Sequence, residues 1–271
     1  RESFLECPQE MTPDPISLPD DLTAALAVAG ARLNLFSGKV RWFPQVGSTN
    51  DLATMLAERG AEEGVVVVAD QQTAGRGRLG RAWASPPGAG IYMSAVLRPT
   101  PRAAGLLTIA AGVAVADAVA QATGLEVQLK WPNDVYVADR KLAGILAEGA
   151  PRYVVLGIGI NVLPAAYPPD VARRATSIET ELGRPVDRGL LLAECLAALA
   201  LRYGEINVED GRGVIAAWRK RAASTLGRRI EWDAGGQSRR GLVDGIDEDG
   251  ALLVRSGSEL IRITSGEVRW V

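Results

Sequence analysis

The sequence predicts a mixed α/β fold (α+β, built on a mixed sheet) followed by a small, separate β-barrel or sandwich. Three observations support this. Helical and extended patterns interleave from Asp20 to about residue 225. Within that span, several short extended runs follow one another through turns too tight for a crossover, so those strands must be antiparallel. From Gly227 onward only short strand-like runs remain. A chain of 271 residues exceeds the commonest domain size, which suits a main domain over 20–225 and a satellite over 226–271.

In chain order, residues 1–19 carry four prolines among polar residues and read as a disordered tail, a tag remnant or an alternative start at Met11, outside the fold. Asp20 or Asp21 is expected to cap a short helix through Val28, and Val40–Val46 reads as a strand. Ser48 or Thr49 caps the next helix, in which Leu52, Met55 and Leu56 fall at helical spacing before Gly60 stops it. Val65–Ala69 is a continuous apolar run, the pattern of a fully buried strand. Thr73–Gly90 has neither period and holds Pro86-Pro87, so it is expected to be a mobile loop; long loops of this kind are usually functional. Ile91–Leu97 is a strand and Arg102–Ala122 a long helix ended by Gly124. Four short strands follow at Val127–Trp131, Val135–Val137, Lys141–Glu148 and Tyr153–Asn161. Asp187 caps a helix to about Tyr203, and a second helix covers Val214–Ala223. The last strands are Arg229–Trp232, Gly241–Ile246, Ala251–Val254 and Glu259–Ile263, with Asp249-Gly250 as a hairpin turn.

Composition narrows the function. There is no histidine, which removes Ser-His-Asp and Cys-His catalysis and the commonest metal ligand together. Cys7 and Cys195 are the only cysteines and lie outside any CxxC spacing, so no disulfide framework or zinc site is indicated and no metal ligand is directly assignable. With no secretory signal at the start, this points to a cytoplasmic protein. A formal charge of −2 gives no global footprint for nucleic acid or anionic membrane. The apolar stretch Ala103–Ala116, broken by Thr108 and Gly112, reads as a buried helix too short to span a bilayer. Chemistry must therefore come from Lys, Arg, carboxylates and backbone.

Two clusters carry such chemistry. Gly75-Arg76-Gly77-Arg78-Leu79-Gly80 matches the dinucleotide fingerprint but runs on into Ala84-Ser85-Pro86-Pro87-Gly88, where the fingerprint needs a helix to receive a pyrophosphate. What remains is a flexible loop bearing Arg76, Arg78 and Arg81, whose bland alternative is a solvated charged surface. Lys130-Trp131-Pro132-Asn133-Asp134 sets a cation, an aromatic, an amide and a carboxylate around a tight turn, with Lys141 soon after. Only four lysines stand against 26 arginines, and two of the four fall in this segment. Each cluster alone is commonly a solvated turn; both in one domain favour a site.

Five blocks in order resemble the signature blocks of biotin protein ligases: Gly47-Ser48-Thr49-Asn50, Gln72 through Trp83, Lys130 through Asp134, Arg140 through Leu146, and Gly157-Ile158-Gly159-Ile160-Asn161. The resemblance implies a catalytic domain related to class II aminoacyl-tRNA synthetases and an SH3-like C-terminal barrel. It also implies ATP-dependent activation of biotin as biotinyl-5'-AMP, with magnesium accompanying ATP, and transfer to a lysine of a biotin carboxyl carrier domain of acyl-CoA carboxylases. By the same resemblance, Arg76 and Lys141 bridge the biotin carboxylate and the α-phosphate. Arg78 covers biotin from the Gly75–Gly77 loop, and Arg81 with Lys130 addresses the nucleotide phosphates. Asn161 and Asn133 help place the nucleotide. Ser48, Thr49, Asn50 and Gln72 meet the ureido ring, over a floor made by Gly157 and Gly159. Trp83 either packs over ligand at the nucleotide side or anchors the loop base. Asp134 orients or deprotonates the acceptor lysine or is a structural turn residue.

The sequence also departs from the family. Fewer residues precede Val40 than a winged helix-turn-helix needs, so specific DNA binding is not expected. Some relatives end in an arginine that reaches toward ATP after a Gly-Glu turn; Gly266-Glu267-Val268-Arg269-Trp270-Val271 does not put Arg269 in that place. A monomer or weak homodimer without membrane contact is expected. The competing reading in the same fold is a lipoate or octanoate ligase or transferase; a non-catalytic biotin-binding or repressor module is disfavoured by the retained cations.

Overall fold

The structure is a computed structural model that describes residues 13–164 and 169–271. Among the described residues, twelve strands form two sheets. The larger contains β1 (Val40–Val46), β2 (Val66–Gln72), β3 (Gly90–Leu97), β4 (Gln128–Lys130), β5 (Asp134–Val137), β6 (Arg140–Ala150) and β7 (Tyr153–Asn161), in the order β1-β2-β3-β7-β6-β5-β4. Only β1 and β2 are parallel, joined by the crossover helix α2 (Thr49–Glu58); every other pair is antiparallel, as the tight turns require.

The helices follow their local chemistry. Ser48 caps α2, its hydroxyl accepting from the Asp51 amide. In α1 (Asp20–Ala29) the residue preceding the helix is Pro19 and no side chain caps it, so Asp20 and Asp21 act in the first turn, beside the positive end of the helix, instead of as caps. The helix α3 (Pro101–Thr123) starts at a Thr100 cap with proline next and ends at left-handed Gly124. Its 23 residues, close to the expected Arg102–Ala122, are long and apolar enough to cross a membrane, where the shorter stretch Ala103–Ala116 was expected to be too short, but the helix is mostly buried within the fold. The short helices α4 (Pro169–Ala172) and α5 (Ile178–Leu182) lead to α6 (Arg188–Val208), capped by Asp187, and α7 (Arg212–Arg221).

One face of the sheet packs on α3 and α6, with α1 against α6, in a continuous core containing Phe36, Leu97, Leu107, Ile145, Leu156, Ile160, Leu196 and Trp218. The opposite face is covered by α2 over β1–β3, through Phe43, Leu52, Val67 and Val96. Ile16 pairs with Trp42 on the outer edge of β1, so part of the segment set aside as tail joins the sheet; residues 1–12 lie outside the described residues.

The second sheet comprises β8 (Arg229–Asp233), β9 (Ser238–Ile246), β10 (Leu252–Ser256), β11 (Glu259–Ile263) and β12 (Val268–Trp270), all antiparallel, in the order β11-β10-β9-β8-β12. The three-residue β12 had no counterpart in the sequence reading. The turn between β9 and β10 is organised by Asp247, whose carboxylate accepts from the amides of Asp249 and Ala251, with Gly250 at φ 80°. Gly250 also lies against Leu106 and Ile109 of α3, and its carbonyl accepts from Trp131 Nε1 at 2.9 Å. The satellite is thus joined to the main domain through a shared core, which also includes Ile230, Trp232 and Leu252.

Candidate active site

The cavity lies on the α2 side of the large sheet, beyond the end of that helix. It measures about 690 Å³. Cross-strand register explains what reaches it. One row of paired residues crosses all seven strands: Phe43, Ala69, Tyr92, Gly159, Gly144, Asp134 and Lys130. Because paired residues share a face, this row leaves a bare strip at the two glycines and delivers Asp134 and Lys130 beside it. The next row joins Ser94, Gly157 and Leu146.

Lys141 arrives by an irregularity. Register between β5 and β6 slips at Val135/Tyr136, so that Tyr136 pairs with Lys141 while Val135 pairs with Ala143. This bulge turns Lys141 to the cavity while Leu142 stays in the core. Its Nζ lies 2.6 Å from Asp134 Oδ1. The Lys141 backbone also bonds the segment after α4, donating to Arg174 O and accepting from the Thr176 amide.

One end of the cavity is uncharged and buried. Gln72 Oε1 accepts from both the amide and the hydroxyl of Thr49, and Gln72 Nε2 donates to Ser85. Ser94 Oγ lies 2.8 Å from Thr49 Oγ1 and 2.6 Å from Asn50 Oδ1, while Asn50 Nδ2 donates to Glu148. Gly157 makes this possible, since a Cβ there would fall inside contact distance of Asn50 Oδ1.

The rest of the cavity holds cations, beginning with Arg76, which adjoins the uncharged end through Glu148. Arg76 donates two 2.7 Å bonds to Glu148 and lies 2.6 Å from Asp51. Arg78 bridges Asn133 Oδ1 and the Gly266 carbonyl. Arg81 makes a two-pronged pair with Glu267, which holds that carboxyl below its usual range. Lys130 Nζ lies 4.4 Å over the Trp270 ring and 5.3 Å over that of Tyr136. Burial pushes the Lys130 ammonium below its ordinary pKa, against the pull of Asp134 and Glu267, and burial likewise raises the Tyr136 phenol.

The arginine loop is folded in this structure. Gly77 N–H donates to Arg81 O and Trp83 N–H to Gly75 O, with a single 3-10 turn at Arg78–Gly80. No helix opens here, which removes the dinucleotide reading. Gly75 does not line the cavity; a Cβ there would lie 2.5 Å from Trp83 O, so this glycine closes the base of the loop. Trp83 lies over the bare strip: a Cβ on Gly159 would sit 2.5 Å from its Nε1 and one on Gly144 3.0 Å from its Cζ3. The two floor glycines thus admit a side chain of the protein itself. Asn133 Nδ2 holds Ile145 O, and buried Asn161 donates to Thr176 O.

Sequence reasoning missed Glu148, Tyr136, Arg174, Glu267 and Trp270. The last two show that the small sheet supplies a wall of the cavity. Cys195 is buried in α6 and its thiol is pushed up to about 12, which leaves no role as nucleophile; Cys7 lies outside the described residues.

Comparison with known proteins agrees with this geometry. Residues 42–163 match the biotin/lipoate A/B protein ligase family and residues 225–269 the biotin protein ligase C-terminal domain. The chain is 40% identical over 233 residues to the biotin–[acetyl-CoA-carboxylase] ligase of Mycobacterium tuberculosis, covering 83% of this chain and 86% of that one. It is 32% identical over 266 residues to the bifunctional ligase/repressor BirA of Bacillus subtilis, covering 93% and 80%. The biotin protein ligase of Aquifex aeolicus in complex with biotin and ATP aligns with a TM-score of 0.77 at 29% identity, covering 86% and 99%. The fold is the mixed α/β catalytic domain with an SH3-like C-terminal domain, and the chain belongs to the biotin protein ligase family.

Proposed function

We propose that this protein is a ligase that activates biotin with ATP as biotinyl-5'-AMP. It then transfers the biotinyl group to one lysine of a biotin carboxyl carrier domain of an acyl-CoA carboxylase. The observation that carries this reading is the division of one cavity into an uncharged, hydrogen-bonding end and a cationic end. A ligand with a neutral polar ring at one end and a carboxylate at the other matches that division.

In the first step a biotin carboxylate oxygen attacks the α-phosphorus of ATP, forming a P–O bond as the bond to pyrophosphate breaks. Two anions must meet, so cations must come between them. Lys141 and Arg76 take the carboxylate and α-phosphate, while Lys130 and Arg81 face the departing phosphates. Asn133 and Asn161 flank the nucleotide side. Lys130 is stiffly seated on Trp270 and poorly hydrated, which strengthens its pull on a phosphate. Among the described residues no three His, Cys, Asp or Glu side chains gather as a metal site. Magnesium would accompany the phosphates of ATP, with Asn161 and Asn133 helping to place it, and would supply charge to the leaving pyrophosphate.

In the second step the neutral amine of the acceptor lysine attacks the anhydride carbonyl, a C–N bond forms, AMP leaves and the amine loses a proton. Asp134, released when Lys141 turns to the anions, is the carboxylate within the site that accepts that proton. The loop bearing Arg76, Arg78 and Arg81 covers the anhydride against water.

The test is mass spectrometry of a carrier domain after incubation with this protein, biotin and Mg-ATP; one added biotinyl group is expected. Addition with lipoate or octanoate but not with biotin would establish the competing acyl reading. The catalytic unit is taken as 20–225 and the satellite as 226–271, acting in the cytoplasm as a monomer or weak homodimer. Specific DNA binding is not assigned: α1 carries Asp20 and Asp21 and no Lys or Arg. A titration with biotin-operon DNA showing saturable, sequence-preferring binding would overturn that point.

A further inference from the structure

We infer that Glu148 is an internal counter-anion, which occupies Arg76 until the carboxylate of the substrate displaces it and so sets the affinity of the site for that carboxylate. The inference rests on the biotin reading above and deepens it by adding a positioning residue.

Glu148 pairs with Val155 across β6 and β7, on the cavity side of the sheet, one step beyond the Leu146–Gly157 pair. Its carboxylate oxygens take both terminal nitrogens of Arg76 at 2.7 Å, and Asp51 adds a contact at 2.6 Å. One guanidinium therefore answers two carboxylates, and the cluster carries a net charge of −1 where an anionic substrate has to arrive. A third carboxylate can gain Arg76 only by displacing one of the two already there.

The geometry says which partner moves. Glu148 is held within the eleven-residue β6 by its pairing with β7, whereas Arg76 stands between Gly75 and Gly77 on the loop. The side chains of Arg76 and Glu148 are 40% and 34% exposed, so water can replace either partner as they separate. Such a pair is exchangeable and is not a permanent brace. Glu148 also has a second duty that persists when Arg76 leaves. It accepts from Asn50 Nδ2 at 2.7 Å, and Asn50 Oδ1 in turn meets Ser94. The same carboxylate thus holds the uncharged end in order while it yields the cation to the substrate.

Glu148→Gln separates the two duties, since the amide oxygen can still accept from Asn50 but the charge facing Arg76 is gone. Calorimetric titration of the full chain with biotin and with biotinamide, its uncharged carboxamide, makes the test. The variant is expected to bind biotin about threefold to tenfold tighter than wild type, with biotinamide binding unchanged. Asp51→Asn, at an exposed first-turn position on α2, should shift biotin in the same direction by less, and stands in if Glu148→Gln does not fold. In the ligand-free protein, amide exchange at residues 74–78 should rise in Glu148→Gln. Equal or weaker biotin binding by a folded variant, an equal shift for both ligands, or unchanged exchange overturns the inference. A wild-type protein that binds neither ligand refutes the biotin reading itself.

Discussion

The two ends of the cavity are built on opposite principles. At the uncharged end Ser48, Thr49, Asn50 and Ser94 are all buried, and each polar group is held by another. At the cationic end the side chains are partly exposed, and Arg76, Arg81 and Lys141 are each answered by an acid of the protein itself. The first end is preorganised: its shape is fixed before ligand arrives, and it selects by matching hydrogen bonds. The second is pre-neutralised. Its cations are stored against Glu148, Glu267 and Asp134 and become available by exchange, so that end is tuned by charge and salt. Errors should therefore cost specificity at one end and rate at the other.

The sharpest way to break the contrast is at Lys141. Lys141→Ala removes a cation from between two anions in a site that excludes water, and adenylate formation is expected to fall by about 10²–10³-fold. Stability should fall by less than the barrier rises, by about 1–3 kcal/mol, because Asp134 Oδ1 is buried and loses the cation beside it. Biotin-dependent pyrophosphate release and thermal melting measure the two. A folded variant releasing pyrophosphate at the wild-type rate would remove Lys141 from the mechanism.

At the uncharged end the corresponding change is Gly157→Ala. The new methyl group would meet Asn50 Oδ1 and force the amide from Ser94 and Glu148. Biotin binding is expected to weaken by about tenfold to a hundredfold. The variant should also lose about 1–3 kcal/mol of stability, because the site is packed before ligand binds. The rate at saturating biotin should be affected far less than KM. A fall in that rate with unchanged KM would mean that the two ends are not separable in this way.

How much of this was legible depends on whether the signal is local. The bounds of β1 and the cap Asp187 follow from neighbours in sequence and were read directly, while the cap of α2 was narrowed to Ser48 or Thr49. Lys130, Asp134 and Lys141 stood out through the scarcity of lysine and the turn between them. Glu148 did not: in a strand it is indistinguishable from an outward-facing acid, and only pairing across to Val155 and the return of the loop bring Arg76 to it. Tyr136 meets Lys141 through a register slip, which alternation along a single strand does not reveal. Trp270 lies in a strand of three residues at the end of the chain, too short to show a period, yet it carries Lys130. The site blocks were legible, but the partners that hold them required the fold.

The smallest expected effect concerns the Arg81–Glu267 pair, which tests whether the cationic end is held ready by the satellite. Arg81 first, and then Arg269 and Lys130, stabilise the charged form of Glu267, so its folded pKa lies below its unfolded value of about 4.3. A carboxyl depressed in this way contributes stability that is present above the unfolded pKa and is lost as pH falls through the folded one. Arg81 stays charged throughout. The pair is partly exposed, which limits its worth to at most about 1 kcal/mol. Glu267→Gln mimics the protonated acid, so wild type should be the more stable by up to that amount at pH 7. The gap should hold down to about pH 4.5 and close below it, while other carboxyls lower both melting temperatures together. Amide exchange at residues 78–82 should follow the same course, being slower in wild type than in Glu267→Gln at neutral pH and equal in acid. A stability gap that persists unchanged below the depressed pKa would mean that Glu267 acts through packing. In that case the satellite closes the cavity by shape alone, and the division between a fixed uncharged end and an exchangeable charged one would stop at Arg76 and Lys141.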